Sequence, residues 1–350
     1  MNLPLHSRAL RSSHPFHRCE LPATGTVLSA KLKEPDTLRR RRALRRVDRE
    51  LSKGNYKTAL TLVKRLQGKP GGLHGFGAAK QVPCRISSLD EIKLSGINIS
   101  SLQLLVDSIL NSIERSTEFQ LSDKISVSQL ENLMHGRSYE SLFEDHIMCM
   151  QHEAGHFLVG YLLGVLPKRY SVSSLEDLRQ DKFAVGRVQF LGFEFLKEAC
   201  MEKESIVQKN STRGKLHVGA NKGKISSTTL KKFLCIILGG LAAEQLVFGY
   251  SEGLHSDVEK LNRVLKWMGF TQSEANSQVR WAAVNTLLIL VRHREARSRL
   301  AEAMALGKSV GACIELLARA GRQRHRTNDP VLFWPEQDDG FWPDAGRHGS

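Results

Sequence analysis

The chain contains a short pattern whose residue types and spacing point to chemistry, His-Glu-Ala-Gly-His at positions 152–156. In an α-helix, residues i and i+4 lie one above the other, so His152 and His156 can direct ring nitrogens at one ion. Glu153 then lies beside the water that such an ion activates, where a general base is needed. Zinc is the expected ion, because it binds imidazole nitrogen readily and needs only three protein ligands at a catalytic site.

The residues around this pattern indicate a buried helix rather than a solvated face. Apolar side chains recur at helical spacing on both sides of the histidines, and Pro167 ends the run. They are Leu142, Phe143, Ile147, Met148 and Met150 before the pattern and Phe157, Leu158, Val159, Tyr161, Leu162, Leu163, Val165 and Leu166 after it. Two hydrogen-bonded core histidines would leave Glu153 unexplained, whereas a metal at the base of a cleft accounts for all three polar residues.

A third ligand must come from further along the chain. The pattern HExxHxxGxxH would supply a nearby histidine, but Leu162 stands at that position. Downstream, a run rich in glycine and alanine at 238–249 predicts a helix that can approach another helix closely, ending at Phe248-Gly249. Asp257 then begins an amphipathic run, near a helix start where a carboxylate is favoured. Glu244, His255 and Asp257 are therefore the candidate ligands.

These three elements together resemble the peptidase domain of the FtsH-type zinc metalloproteases. That family has HEAGH on a helix, then a GGxxAE helix, then a ligand aspartate at the start of the next helix. The matching residues here are His152, Glu153 and His156, then Gly239, Gly240, Ala243 and Glu244, then Asp257.

The resemblance covers residues 140–318 and implies a fold, an activity and roles for the site residues. It implies a mainly α fold with a small β-sheet, namely a zincin-like FtsH peptidase domain preceded by a helical N-terminal region. It implies a zinc metalloendopeptidase in which Zn²⁺ is held by His152, His156 and Asp257, and Glu153 is the catalytic base. Glu244 becomes a carboxylate that orients a ligand histidine, and Glu244 and His255 are the alternative ligands.

The chain departs from the family in three ways. The family's Thr-Gly-Ala run before the aspartate is Glu252-Gly253-Leu254 here. No segment fits the phosphate-binding pattern GxxxxGK[ST], so an ATPase activity would have to come from a partner, either a separate AAA ATPase or an FtsH-type complex. No run of 18 or more apolar residues predicts a transmembrane segment. The expected substrate is an unfolded or extended protein, and the alternative is a catalytically silent FtsH-like scaffold or assembly factor.

The N-terminal residues predict targeting rather than a nucleic-acid interface. Residues 1–50 hold 12 Lys and Arg against 5 Asp and Glu, within a chain of net charge +15. The first nineteen residues contain arginine and serine but no acid, which is typical of an organelle transit peptide. The arginines at 39–46 could bind nucleic-acid or membrane phosphates, but no aromatic residues accompany them, which makes nucleic acid the least favoured partner. Together with the resemblance, this favours the chloroplast, with the mitochondrion as the alternative, and a protein that is soluble or peripheral to a membrane.

These patterns divide the chain into four regions. Residues 1–45 are a transit peptide or basic arm, 46–139 a helical region, 140–318 the peptidase domain and 319–350 a disordered tail. Two helices are expected within 38–67, broken at Gly54-Asn55, followed by a glycine-rich linker near 68–79 and a helix near 100–115. Residues 168–195 alternate and predict a small sheet, and residues 209–229 predict a basic loop. Six scattered cysteines without a CxxC pair indicate neither a cysteine zinc site nor a disulfide scaffold.

Overall fold

The computed structural model describes residues 35–67, 69–81, 99–121, 139–180, 186–199, 225–251 and 255–325, without the side chains at 99–101, 118–121, 255 and 321–325. The described helices are α1 (Asp36–Ser52), α2 (Tyr56–Gln67), α3 (Ile99–Leu121), α4 (Tyr139–Leu162), α5 (Leu175–Gln180), α6 (Ser227–Ile237), α7 (Gly239–Phe248), α8 (His255–Trp267), α9 (Gln272–Arg292), α10 (Arg294–Ala305) and α11 (Val310–His325). The strands are β1 (Pro167–Ser171) and β2 (Arg187–Phe190). The prediction of a mainly α fold with a small sheet is confirmed.

Helix α4, which carries the His-Glu-Ala-Gly-His pattern, lies at the centre of the helical assembly. Every residue from 152 to 163 is buried, as the apolar sequence on both sides of the histidines predicts. The helix packs most extensively against α7, and also against α6 and α10. The helix ends at Leu162, and Gly164 then adopts a left-handed conformation at φ 74°. The helix therefore ends earlier than the sequence predicts, and Pro167 is the first residue of β1.

Two glycines allow α4 and α7 to cross in close contact. A Cβ atom placed on Gly155 would lie 2.2 Å from the carbonyl oxygen of Gly239, and one placed on Gly239 would lie 3.0 Å from the backbone of Gly155. Any larger residue at Gly155 would push the two backbones apart. Helix α7 then ends at Gly249, whose φ of 78° is the left-handed cap that the sequence predicts after Phe248.

The small sheet covers part of α4. Strands β1 and β2 pair antiparallel, with Tyr170 opposite Val188, and both contact α4. Phe190 at the end of β2 is buried, and its ring fills the space that Gly160 leaves on α4. The short helix α5 lies between the strands along the chain, within a segment for which the sequence predicts only sheet.

The N-terminal helices belong to the same core as α4. Buried side chains of α1, α2 and α3, such as Val47, Val63 and Val106, join one hydrophobic cluster with Phe157 of α4. The expected break at Gly54-Asn55 is present between α1 and α2. The segment expected to be a linker instead packs onto α4: Phe76 is buried, and the amide of Gly77 donates to the carbonyl of Tyr161 at 3.0 Å.

Three boundaries differ from the predicted ones. Residue 45 lies inside α1, because Arg40 is buried and leucine and valine side chains of this helix enter the core. Residue 318 lies inside α11, which continues to His325, so residues 319–325 are helix rather than tail. The predicted loop at 209–229 ends earlier, since the Ser226 side chain caps α6 by accepting from the Thr229 amide. The rest of that loop, residues 1–34, and 326–350 lie outside the described residues.

None of the described helices is both long enough and apolar enough to cross a membrane.

Candidate metal centre

Three side chains from two helices bring their ligand atoms together in the interior. His152 and His156 come from one face of α4, and Asp257 comes from the first turn of α8. The two Nε2 atoms lie 2.9 Å apart, and Asp257 Oδ2 lies 3.1 Å from His152 Nε2 and 2.8 Å from His156 Nε2. All three residues are buried, with at most 6% of their surface exposed.

The outer nitrogens of the two imidazoles determine the protonation of the inner ones. His152 Nδ1 lies 2.6 Å from Glu244 Oε1, and His156 Nδ1 lies 2.6 Å from the carbonyl oxygen of Ile236. A carbonyl and a carboxylate accept hydrogen bonds, so each Nδ1 carries a proton, and each ring in its neutral form presents an electron pair at Nε2. Two imidazole electron pairs and a carboxylate oxygen therefore meet at one point.

Such a set of donors requires a positive charge among them. Burial alone would lower the pKa of His152, but the Glu244 and Asp257 carboxylates outweigh it and raise the pKa well above its ordinary value. Burial would likewise raise the pKa of Asp257, yet the neighbouring His156 charge and the imidazole hydrogen bonds hold it well below its usual range. Both shifts favour a protonated imidazole beside the carboxylates, and a metal ion bound between them would take the place of that positive charge.

The donors fit a metal ion of the zinc type. Zinc takes imidazole nitrogen and carboxylate oxygen with bonds of about 2.0–2.2 Å, so tetrahedral ligand atoms lie about 3.3 Å apart. The three atoms here need to separate by only a few tenths of an ångström to reach that spacing. Within the described part of the chain, the group of three or more side chains placed to hold a metal ion consists of His152, His156 and Asp257.

Glu244 lies behind His152 rather than at the meeting point. Its Oε1 accepts from His152, and its Oε2 accepts from the Ser251 hydroxyl at 2.7 Å. Gly240 on the same helix makes this approach possible, because a Cβ atom there would lie 2.2 Å from His152 Cε1. Glu244 thus orients a histidine, the role given to it above in preference to that of ligand. The side chain of His255, the other alternative, is outside the described residues.

Glu153 lies next to this group but shares no hydrogen bond with it. Its side chain is 1% exposed, and its Oε2 has no hydrogen-bond partner. Burial raises the pKa of this carboxyl, while the charges of His152 and His156 partly offset the rise. A buried carboxylate oxygen without a partner costs free energy, so the fold retains a group that stability alone does not explain.

Two features of the centre were not predicted from the sequence. Lys260 donates to Asp257 Oδ1 at 2.8 Å, which leaves Oδ2 turned towards the histidines. The spacing of three residues on α8 is a signal that could have identified this pair. Gly186, immediately before β2, lies against Glu153: a Cβ atom there would be 2.6 Å from Glu153 Cγ. No sequence signal connects these two residues.

No family model, curated protein or solved structure matches the chain, so the function is argued from the geometry of this centre.

Proposed function

We propose that this protein is a zinc-dependent metalloendopeptidase with a zincin-like fold. Its active site would resemble that of the FtsH-type peptidases. The observation that carries the proposal is the convergence of three buried electron-pair donors beside a buried carboxylate that has an unpaired oxygen. His152, His156 and Asp257 would hold the ion. Zinc, when bound there, supplies a Lewis acid that makes water a stronger acid and polarises a carbonyl group.

Glu153 distinguishes a catalytic site from a structural one. A structural zinc site has four protein ligands and no use for a base, whereas this centre has three ligands and a neighbouring carboxylate. Burial raises the pKa of Glu153 towards neutral pH, so the carboxylate binds a proton more readily than an exposed one. This suits a group that first accepts a proton from water. The same group can then deliver that proton to the amine that leaves when the peptide bond breaks.

Strand β2 supports an extended polypeptide as the substrate. One of its edges pairs with β1, and within the described part of the chain the other edge pairs with no strand. An extended segment can add to such an edge through backbone hydrogen bonds, largely independently of its sequence. Because Gly186, immediately before β2, lies against Glu153, a strand bound there would run beside the base.

Recognition of backbone rather than of folded surfaces favours unfolded or extended protein substrates. The sequence has no phosphate-binding loop, so a partner such as a separate AAA ATPase or an FtsH-type complex would have to unfold folded substrates. Action in the chloroplast, or alternatively in the mitochondrion, remains part of the proposal.

The deciding experiment compares the wild type with Glu153→Gln. The substitution keeps the size of the side chain and the helix but removes the basic carboxylate. Zinc content should persist, while hydrolysis of an unfolded protein substrate should fall by a factor of about 10² to 10⁴. The matched control is Glu144→Gln, an exposed position on the same helix, which should leave hydrolysis unchanged.

Two outcomes would contradict the proposal. Equal hydrolysis by the wild type and Glu153→Gln would show that Glu153 is not the base. A wild-type protein that holds zinc but cleaves no extended substrate would favour the alternative of a catalytically silent scaffold or assembly factor.

A further inference from the structure

The outward face of α1 consists almost entirely of arginine. The five arginines at positions 39, 42, 45, 46 and 49 fall within a third of the helix circumference when residues are placed at 100° intervals. Leu38 is the other side chain of this helix that falls within that arc. The opposite face carries the buried residues Arg40, Leu44, Val47 and Leu51. We refer to Arg39, Arg42, Arg45, Arg46 and Arg49 as the arginine face.

The arginine face is a fixed surface of the folded protein rather than part of a loose arm. Arg40, on the inner side of the same helix, donates to both carboxylate oxygens of Glu315 on α11, at 2.6 and 2.9 Å. Helix α1 also packs against α2 and α11. The helix therefore presents all five arginines on one side of the folded protein.

Most of this positive charge is not neutralised within the described structure. Arg39 pairs with Asp36, but Arg45, Arg46 and Arg49 have no carboxylate partner among the described residues. The two other acids of α1 are engaged elsewhere. Asp48 accepts from Ser309 and from the amide of Gly311, and Glu50 accepts from Asn55.

Apolar side chains accompany the arginines at the surface. The arginine face lines a cleft of about 580 Å³, together with Ala43 of α1 and Leu62 of α2. Leu38 is 46% exposed on the face itself. Arg45 also lines a neighbouring groove that includes Leu306, which is 73% exposed. Two exposed leucines thus accompany the arginines at this surface, although the groove with Leu306 also contains Asp48 and Glu302.

From this surface we propose that the protein docks on bilayers containing anionic phospholipids through the arginine face. Guanidinium groups pair with phosphate, and their apolar stems, like Leu38 and Leu306, can enter the boundary between headgroups and acyl chains. A nucleic acid would satisfy the charge but not the leucines, and the face has neither an aromatic residue for stacking nor an amide side chain for base contacts.

Vesicle flotation with the full-length chain tests this proposal. The wild type should float with vesicles that contain phosphatidylglycerol and not with vesicles of phosphatidylcholine alone, and added salt should release it. Arg46→Glu/Arg49→Glu should lower the partition coefficient by at least about 30-fold, since each basic residue near an anionic surface contributes about fivefold. Arg46→Lys/Arg49→Lys keeps the charge and should retain most of the binding.

A matched control and a change without charge separate this surface from general electrostatics. Lys197→Glu/Lys266→Glu changes the net charge equally at exposed positions outside α1 and should float almost like the wild type. Leu38→Ser should weaken flotation at constant charge. Equal loss in the arginine and lysine double variants would overturn the proposal, as would binding to a DNA duplex that the arginine changes abolish while vesicles remain unbound. Zinc content, measured in each variant, should not change.

Discussion

Two buried polar clusters join distant parts of this chain, and they differ in how their polar atoms are paired. In the first, Arg40 of α1 meets Glu315 of α11, 275 residues apart. In the second, His152 and His156 of α4 meet Asp257 of α8. Both have lost almost all contact with water, so each polar atom depends on a protein partner or pays a desolvation cost.

The first cluster is complete. Arg40 Nε and Nη2 donate to the two oxygens of Glu315, and Nη1 donates to the carbonyl of Gly71. Arg319 also donates to Glu315 Oε1 at 2.9 Å, and each of the five polar atoms of Arg40 and Glu315 has a partner. Such a pair fixes the position of two helices and of the turn around Gly71, and nothing about it calls for a ligand.

The second cluster is incomplete in a specific way. Its three inner atoms are electron-pair donors, and the adjacent Glu153 has an unpaired oxygen. The outer atoms of the same residues are fully engaged with Glu244, Ile236 and Lys260. The contrast indicates that burial of charge is not itself a sign of function. The sign of function is a set of well-oriented groups whose inner atoms face one another as electron-pair donors. Here the three donors could bind a cation, and Glu153 could accept a proton.

The largest effect is expected from removing the inner atoms of the second cluster. The wild type should bind about one zinc per chain, and His152→Ala/His156→Ala should abolish binding, because Asp257 alone cannot hold the ion. Elemental analysis after dialysis measures this. His146→Ala on the same helix is the control and should keep full zinc content. Unchanged zinc content in the double variant would remove the metal assignment.

The next largest effect concerns the first cluster and should appear in stability rather than in metal binding. Arg40→Met removes two hydrogen bonds from the buried Glu315 carboxylate and leaves it only the exposed Arg319 at 2.9 Å and the more distant Arg41, which should lower the free energy of unfolding by about 1.5–3 kcal/mol. Zinc content should not change. Urea unfolding measures the loss, and Arg41→Met is the control.

The Arg41 control is informative because Arg41 lies near the same Glu315 carboxylate as Arg40 but is exposed to solvent. Arg41 is 47% exposed and lies 3.7 Å from Glu315. Its removal should cost no more than about 1 kcal/mol, the usual range for an exposed pair. Equal losses at positions 40 and 41 would show that the buried pair has no special structural role.

The sequence predicted the second cluster better than the first for a physical reason. His152 and His156 are separated by one helical turn, so local spacing already predicts that they lie together, and the family resemblance singles out Asp257 among three candidate ligands. Arg40 lies within a run of four arginines, which the sequence alone assigns to a transit peptide or basic arm. Its burial depends on Glu315, and a pairing between positions so far apart in the chain leaves no local pattern.

Backbone contributions to the centre were also beyond sequence reasoning. The acceptor for His156 is the carbonyl of Ile236, one of the last carbonyls of α6, which lack partners within that helix. The glycine-rich start of α7 predicted a close helix contact, but not that Gly240 makes room for the His152 ring. Both depend on how α6 and α7 are placed against α4.

A smaller effect is expected from the carboxylate that orients His152. Glu244→Gln keeps an acceptor near Nδ1 but removes the negative charge that makes the ring a better donor to a metal. Zinc affinity should fall by about 10- to 100-fold, the usual range for a partner of a ligating histidine. Competition with a chelator measures the affinity, and Glu302→Gln, an exposed change on α10, should have no effect. Complete loss of zinc would instead indicate that Glu244 is itself a ligand.

The smallest effect should come from Ser251, one step further from the ion. Its hydroxyl donates to Glu244 Oε2 at 2.7 Å and so helps to hold Oε1 towards His152. Because Ser251→Ala leaves the charge of Glu244 in place, zinc affinity should fall by only about threefold, part of the value of one hydrogen bond. The decisive comparison is Ser251→Ala made in the Glu244→Gln background. If Ser251 acts through Glu244, its removal there should change zinc affinity very little, because contacting residues in one chain of hydrogen bonds are not additive. Two independent, additive losses would mean that Ser251 reaches the centre by another route. In that case the effect on zinc affinity would not decrease along a single chain of contacts from the ligand His152 through Glu244 to Ser251.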